Sequence, residues 1–412
     1  MVYLNQIDVC EVCKNKKLIP VLNLGKLPLC DDLIPVNQNE TCAEYETEIL
    51  FCNECFTAHQ KYQVEKKYLF PKTYHYRARF TKDVVDGMHE LVNHCKLNLR
   101  SLKGMKVLDI GCNDGTLLDI FRNEECETFG IEPTGASEDA LGKGHTIYNE
   151  FFDKESSKAF LSKHGYPDII TFTNVFAHIE DLDSLLVALK YLLSERTIIV
   201  IENHYLGSIL SSNQFDTFYH EHPRSYSYAS FKQIAKNLGH KVLDVSFPPR
   251  YGGNIRIFIG NMDQESKVEE SLEKKLLITE ASFKDQFMSM AKKISVWKEK
   301  KKIKIAQLIK EYEYIFAKAF PGRAAILIRI LDIDETVVKA VFEKKGSKKI
   351  GHYVPGTRIP ICEDEELFLL SDKNIPILNL AWHIPNEIKS YLVENNVNSE
   401  LINIIDPVDF DN

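Results

Sequence analysis

The chain has 412 residues, 44% of them apolar and 27% charged, with 51 basic against 59 acidic side chains and a net charge of -8. This length exceeds one ordinary core, so two or three globular domains are expected, and the acidic balance argues against a nucleic-acid backbone as partner. No apolar run reaches the ~20 residues of a membrane span, and "MVYLNQIDVC" lacks the basic start and apolar core of a secretory signal, so a cytoplasmic protein without membrane contact is expected.

In chain order, "CEVC" and "CNEC" come first. They set Cys10 with Cys13 and Cys52 with Cys55, two C-x2-C pairs 38 residues apart. Each pair aims two thiolates at one ion from a single turn, and two such turns complete a closed tetrahedral sulfur site. A structural zinc ion is expected, with no open position for substrate. Cys30 and Cys42 lack a partner at that spacing and read as plain core or surface residues. The stretch between the pairs reads as strands or an irregular excursion.

"MKVLDIGCNDGTLLDIF" reads as a buried strand over residues 106–110, a glycine turn and a helix with Leu117, Leu118, Ile120 and Phe121 on its apolar side. "TFGIEP" sets Glu132 at the end of a second strand. The dinucleotide fingerprint needs glycine at 111, 113 and 116, whereas the chain has Gly111, Asn113 and Thr116, with Gly115 in the turn. Asp109 and Asp114 bring carboxylates to this turn, which repel phosphate and suit a cofactor carrying ammonium and sulfonium charge. S-adenosylmethionine is therefore expected. Further strands over 169–173 and up to Glu202 place Asn174, Phe176 and His178 in a loop beyond the strand ends, where ligands of open α/β sheets bind. Asp109, Gly111, Asn113, Gly115, Glu132, Asn174 and Phe176 are the expected cofactor residues. Tyr76 joins them from "YLFPKTYHYRARF", with Arg77 beside it and lobe packing as the rival reading. Phe151 and Phe152 could stack on adenine or pack in the core.

"FDTFYHEHPRSYS" holds Tyr219, His220, Glu221 and His222 in a row, followed by Pro223. Pro223 biases His222 away from α geometry, so the row ends an element. Taken together, the paired cysteines, "VLDIGCNDGTLL", "NVFAHI", "FDTFYHEH", "YGGNIR" and "GHYVPGTRIPI" resemble the sugar C-methyltransferases, in order over nearly the whole chain. That resemblance implies methyl transfer from S-adenosylmethionine to C3 of a nucleotide-linked 4-keto-deoxysugar. It also implies a zinc-bearing N-terminal lobe (1–75), a central Rossmann-like methyltransferase sheet (76–262) and a smaller Rossmann-like α/β domain (321–412) that helps hold the sugar nucleotide. Its proton-handling residues fall on His178, Tyr219, Glu221 and His222, with base and enolate donor unassigned between Tyr219 and His222, and with His220 as a structural neighbour. The resemblance leans towards a monomer.

The lysine-rich stretch from Ser266 to Phe320 is helical by period, and 263–320 reads as a helical connector. "RAAILIRIL", "ETVVKAVFE" and "IPILNLAWHI" follow as apolar pieces of a parallel sheet. "KAFPGRAA" departs from the family's glycine-rich pattern, which leaves the nucleotide and sugar open. Expected substrate contacts are Tyr251, Asn254 and Arg256, then Arg323, Lys349, Tyr353 and Arg358, with Arg224 as a phosphate or hydroxyl contact. Lys349 ends a basic run that reads equally as an exposed charged turn. O-methylation of a sugar hydroxyl is the nearest rival chemistry, and a non-catalytic zinc and cofactor-binding module is the rival from another class.

Overall fold

The computed structural model describes residues 4–70, 77–370 and 374–410, and the side chain of Tyr251 lies outside that description. The chain groups into two units, each built from non-contiguous stretches. Unit 1 comprises residues 1–19, 50–209 and 221–284, and unit 2 comprises 20–49, 210–220 and 285–412. The four consecutive segments read from sequence follow motif order, whereas contact groups the chain across those segments.

Unit 1 is organised by a seven-stranded sheet. Its strands are β1 (Lys106–Ile110), β2 (Glu127–Ile131), β3 (Thr146–Tyr148), β4 (Ile169–Thr173), β5 (Ile198–His204), β6 (His240–Ser246) and β7 (Asn254–Asn261). Their order is β6-β7-β5-β4-β1-β2-β3, with β1 to β5 parallel and β7 antiparallel to both β5 and β6. The central strands are mostly apolar because helices cover both faces of a parallel sheet. Val107, Leu108, Ile169, Ile170, Ile199 and Val200 are all fully buried. Each such side chain contributes about 1.5–3 kcal/mol relative to exposure. Helix α1 (Lys82–Leu99) lays Leu91, Val92 and Cys95 into the same core as Val107 and as Leu117 and Phe121 of α2 (Thr116–Asn123).

Two helices on the far side of the strand order share one carboxylate. Helix α3 (Tyr228–Asn237) starts with a Ser227 capping box, and Glu280 of α4 (Glu270–Ala281) accepts the N–H groups of Tyr228 at 2.7 Å and Ala229 at 2.9 Å. A negative group at a helix N-terminus meets unpaired N–H donors, which offsets part of the cost of burying it. Burial nevertheless pushes the Glu280 carboxyl up from its ordinary range. The third bond to Glu280 comes from the Tyr205 hydroxyl at 2.9 Å.

Unit 2 contains a second, smaller sheet of β8 (Ile315–Lys318), β9 (Val338–Glu343), β10 (Ile361–Glu363), β11 (Ile377–Asn379) and β12 (Leu401–Asn403), all parallel, in the order β10-β9-β8-β11-β12. The long helix α5 is Phe283–Tyr312. Two sequence readings are corrected in this part. "IFAK" is strand β8 and not part of the helical connector, and "AAILIRI" is helix α6 (Ala324–Ile330) and not a strand. Short, continuously apolar runs carry no period that separates a buried strand from a buried helix, and six of the seven α6 residues are buried. The early stretch 20–49 is tied into unit 2 by a forked pair in which Arg329 Nε donates to Glu44 Oε1 at 2.6 Å and Nη2 to Oε2 at 3.1 Å.

Candidate active site and zinc site

The four thiols of the cysteine pairs converge. Cys10 Sγ lies 3.5 Å from Cys55 Sγ and Cys13 Sγ 3.5 Å from Cys52 Sγ, and all four sulfur atoms lie within 4.8 Å of one another. Both knuckles are built alike. Lys14 N–H donates to the Cys10 carbonyl and Phe56 N–H to the Cys52 carbonyl, each at 2.9 Å, and Lys14 (φ 64°) and Phe56 (φ 53°) take the left-handed backbone that closes the turn. A Zn–S distance of about 2.3 Å in a tetrahedron sets sulfur atoms roughly 3.8 Å apart, so four thiolates at this spacing fit one closed zinc ion. Cys42 stands apart, its thiol donating to the Asp32 carbonyl at 3.1 Å.

The β1 turn has the shape expected of it. Gly111 (φ 73°) and Gly115 (φ 74°) are left-handed, and a Cβ on Gly111 would meet Val175 at 2.6 Å, so only glycine fits there. Glu132, at the end of β2, accepts the Asn113 N–H at 3.0 Å and the Thr134 N–H at 2.9 Å. Asp109 is buried beneath the turn and accepts from Thr171 Oγ1 at 2.6 Å. Burial, with the charge of Glu132 adding to it, pushes Asp109 up to about 7. Asp114 braces the turn internally, since one oxygen accepts from Thr116 and the other from Arg79. Arg77 donates to Asp139 at 2.7 Å. Asn174 (φ 54°) holds the start of the next loop through its N–H to the Glu202 carbonyl at 2.7 Å. The oxygens gathered at this turn are carboxylate and amide acceptors, which fit ribose hydroxyls and an ammonium group. Gly111, Asn113, Gly115, Glu132 and Asn174 would hold S-adenosylmethionine, which supplies an electrophilic methyl group. Tyr76 lies outside the described residues.

Beyond the ends of β4 and β5, three imidazoles form a row. The His178 and His222 rings are 4.7 Å apart, and His222 is 5.5 Å from His204. His178 Nδ1–H donates to the Glu221 carbonyl at 2.8 Å, which puts the proton on Nδ1 of the neutral ring. Burial lowers His178 to about 4, so it stays neutral at physiological pH. His222 and Glu221 are both buried. Tyr219 falls in the stretch 210–220 that belongs to unit 2, as does His220. His220 is buried against Tyr45, with Nε2 3.2 Å from Thr47 Oγ1. His204 escaped the sequence reading because β5 was expected to stop at Glu202. Its signal is position, two residues past Glu202 on the same strand face.

Several expected contacts are corrected. Phe176 does not line a cofactor surface, because it is wholly buried among Phe172, Tyr226 and Phe231. Phe151 has Lys66 Nζ over its ring at 4.5 Å. Arg224 is no phosphate contact. It is wholly buried, paired with Glu11 Oε1 at 2.8 Å and donating to Tyr226 OH and the Glu180 carbonyl. Arg256 and Asn254 both donate to the fully buried Glu202, which also pairs with Arg250. In unit 2, Tyr353 OH donates to the Val36 carbonyl, and Arg358 donates to the carbonyls of Gln38 and Asn39, so both fasten a loop. Lys349 Nζ donates to the Phe320 carbonyl at 2.8 Å. Arg323 pairs with Asp216 at 3.3 Å and lies over Trp382.

Among the described residues, no helix is long and apolar enough to cross a membrane. Three family models match in order: a zinc binding domain over 10–70, a methyltransferase domain over 77–245 and a C-methyltransferase C-terminal domain over 249–401. The C-methyltransferase NovU of Streptomyces niveus is 24% identical over 394 residues, covering 93% of this chain and 91% of that protein. Among solved structures, the PH0226 protein of Pyrococcus horikoshii OT3 is 13% identical at a TM-score of 0.35, over 47% of this chain and 97% of that one. Magnesium protoporphyrin IX methyltransferase of Synechocystis PCC 6803 is 12% identical at 0.32, over 43% and 80%. Scores this low bear no further on function. The order of the three models and the near full-length relative bear out the motif resemblance: the chain is an S-adenosylmethionine-dependent methyltransferase, similar to the C-methyltransferases that carry an N-terminal zinc-binding lobe.

Proposed function

We propose that the acceptor is a nucleotide-linked 4-keto-deoxysugar, methylated at C3 next to the ketone through an enolate, and that a monomer does this in the cytoplasm without nucleic acid or membrane. A hydrogen beside a ketone is only weakly acidic, so a positioned base has to remove it, a contribution of about 10²- to 10⁴-fold. The observation that carries this reading is the His178–His222 pair at 4.7 Å beyond the strand ends. His178 is held by the Glu221 carbonyl as the neutral Nδ1–H tautomer, in which Nε2 is the basic nitrogen of the ring. His222 stands next to it as the second proton-handling group, and an N–H aimed at the developing enolate oxygen stabilises it electrostatically. Tyr219 and Glu221 are assigned to the same step on the motif they share with the family. The parallel sheet of unit 2 has a strand order used by nucleotide-binding folds, which supports a nucleotide-linked substrate.

The test incubates the protein with S-adenosylmethionine and a panel of nucleotide-linked 4-keto-6-deoxysugars in deuterated water, read by mass and carbon NMR. A new methyl on a quaternary carbon is expected, and His222→Asn and Tyr219→Phe should each cut turnover with cofactor affinity kept. Methyl on oxygen, or cofactor binding with neither deuterium nor methyl incorporated in any sugar, would overturn the proposal.

A further inference from the structure

His204 has no place in the motifs above, yet the fold builds a rigid mount for it. Side chains alternate along a strand, so Glu202 and His204 share a face of β5. Across the antiparallel pairing with β7, Glu202 stands opposite Arg256 and His204 opposite Asn254. Glu202 is saturated by Arg250, Arg256 and Asn254, which locks this end of the strand. The next residue is held twice, Tyr205 N–H by the Gly253 carbonyl at 3.1 Å and Tyr205 OH by Glu280 at 2.9 Å.

His222 has the opposite setting. Residues 219–222 form neither helix nor strand. Two rings flank His222: His178, tied down by the Glu221 carbonyl, and His204, edge-on at an interplanar angle of 61°. Aromatic rings prefer such tilted, edge-to-face contacts, which makes His204 a support of defined direction rather than a soft filler.

We propose that His204 is a positioning residue for the proton step, holding the His222 ring in its working rotamer from the end of β5. The catalytic consequence rests on the proposed reaction, whereas the effect on the His222 ring is measurable without any substrate.

The experiment uses zinc-loaded, full-length protein with ¹⁵N-labelled histidine, the His222 resonances being those that vanish in His222→Asn. Wild type should show one sharp set of His222 ring signals, His204→Ala a broadened, conformationally averaged set, and His204→Phe should restore the single set by replacing the ring edge. In the same samples, deuterium exchange at the carbon beside the ketone should fall on the order of 10²-fold in His204→Ala and recover in His204→Phe, with the dissociation constant for S-adenosylmethionine unchanged. If the alanine variant does not fold, His204→Gln gives the same comparison. An unchanged His222 spectrum on loss of the His204 ring, or an averaged one that phenylalanine does not restore, overturns the assignment. Wild-type protein that exchanges no sugar while its His222 spectrum responds as stated would refute the proposed reaction and leave the positioning role standing.

Discussion

Replacing Arg224 by methionine separates the two roles open to that residue. The guanidinium is wholly buried and faces Glu11 at 2.8 Å. Burial alone would raise the Glu11 carboxyl, yet Arg224, with His59 and Gln63, outweighs it and brings Glu11 from 4.5 down to about 2. That shift of about 2.5 pKa units corresponds to about 3 kcal/mol at about 1.4 kcal/mol per unit, in line with the ~3–5 kcal/mol lost when one partner of a buried pair is removed. Because the folded value is depressed, this stability is present above pH 4.5 and is lost as the pH falls towards 2. Arg224→Met should therefore lose about 3 kcal/mol of unfolding free energy at pH 7 in guanidinium melts of the zinc-loaded protein. Combined with Glu11→Gln in a double-mutant cycle, it should show a coupling of similar size. The Michaelis constants of the folded variant should not move. Wild-type stability with a raised constant for the acceptor would refute this and return Arg224 to the substrate.

The zinc site makes a second prediction: one zinc per chain by metal analysis, lost in Cys13→Ser but kept in Cys42→Ser, with increased amide exchange of residues 4–19 and 50–64 accompanying the loss. Full metal content in Cys13→Ser would contradict it. A third concerns acid. Burial lowers His220 from 6.5 to about 4, so its contribution is complete above pH 6.5 and drains away as the pH falls through 4. The limit is about 3 kcal/mol, and His220→Gln should show a correspondingly shallower acid slope in urea melts. Parallel slopes would show that the ring does not resist protonation.

The strand–turn–helix from Lys106 to Asn123 and the four zinc thiols were legible because both are local. Glycine at a left-handed turn, an apolar run and a C-x2-C pair each state their geometry within a few residues. The substrate cations were not legible for a physical reason. A sequence reports that Arg224 and Arg256 carry charge, but whether that charge meets solvent or a buried carboxylate depends on Glu11 and Glu202, distant in the chain and indistinguishable in print from exposed glutamates. His204 was missed through a boundary error of two residues at the end of β5. For strands, that is the usual uncertainty, and it falls where catalytic groups sit.

The Arg329–Glu44 fork joins residues 285 positions apart. A ribosome adding ~5–20 residues per second makes Glu44 wait roughly 15–60 s for its partner. Over that interval the stretch 20–49 has left the tunnel, while nearly all the rest of unit 2 is still unmade. The cysteine pairs lie on either side of it, at 10 and 13 and at 52 and 55, so the metal could close before unit 2 exists and hold the waiting stretch as a tethered loop. Zinc would then act on the order of assembly as well as on the finished lobe.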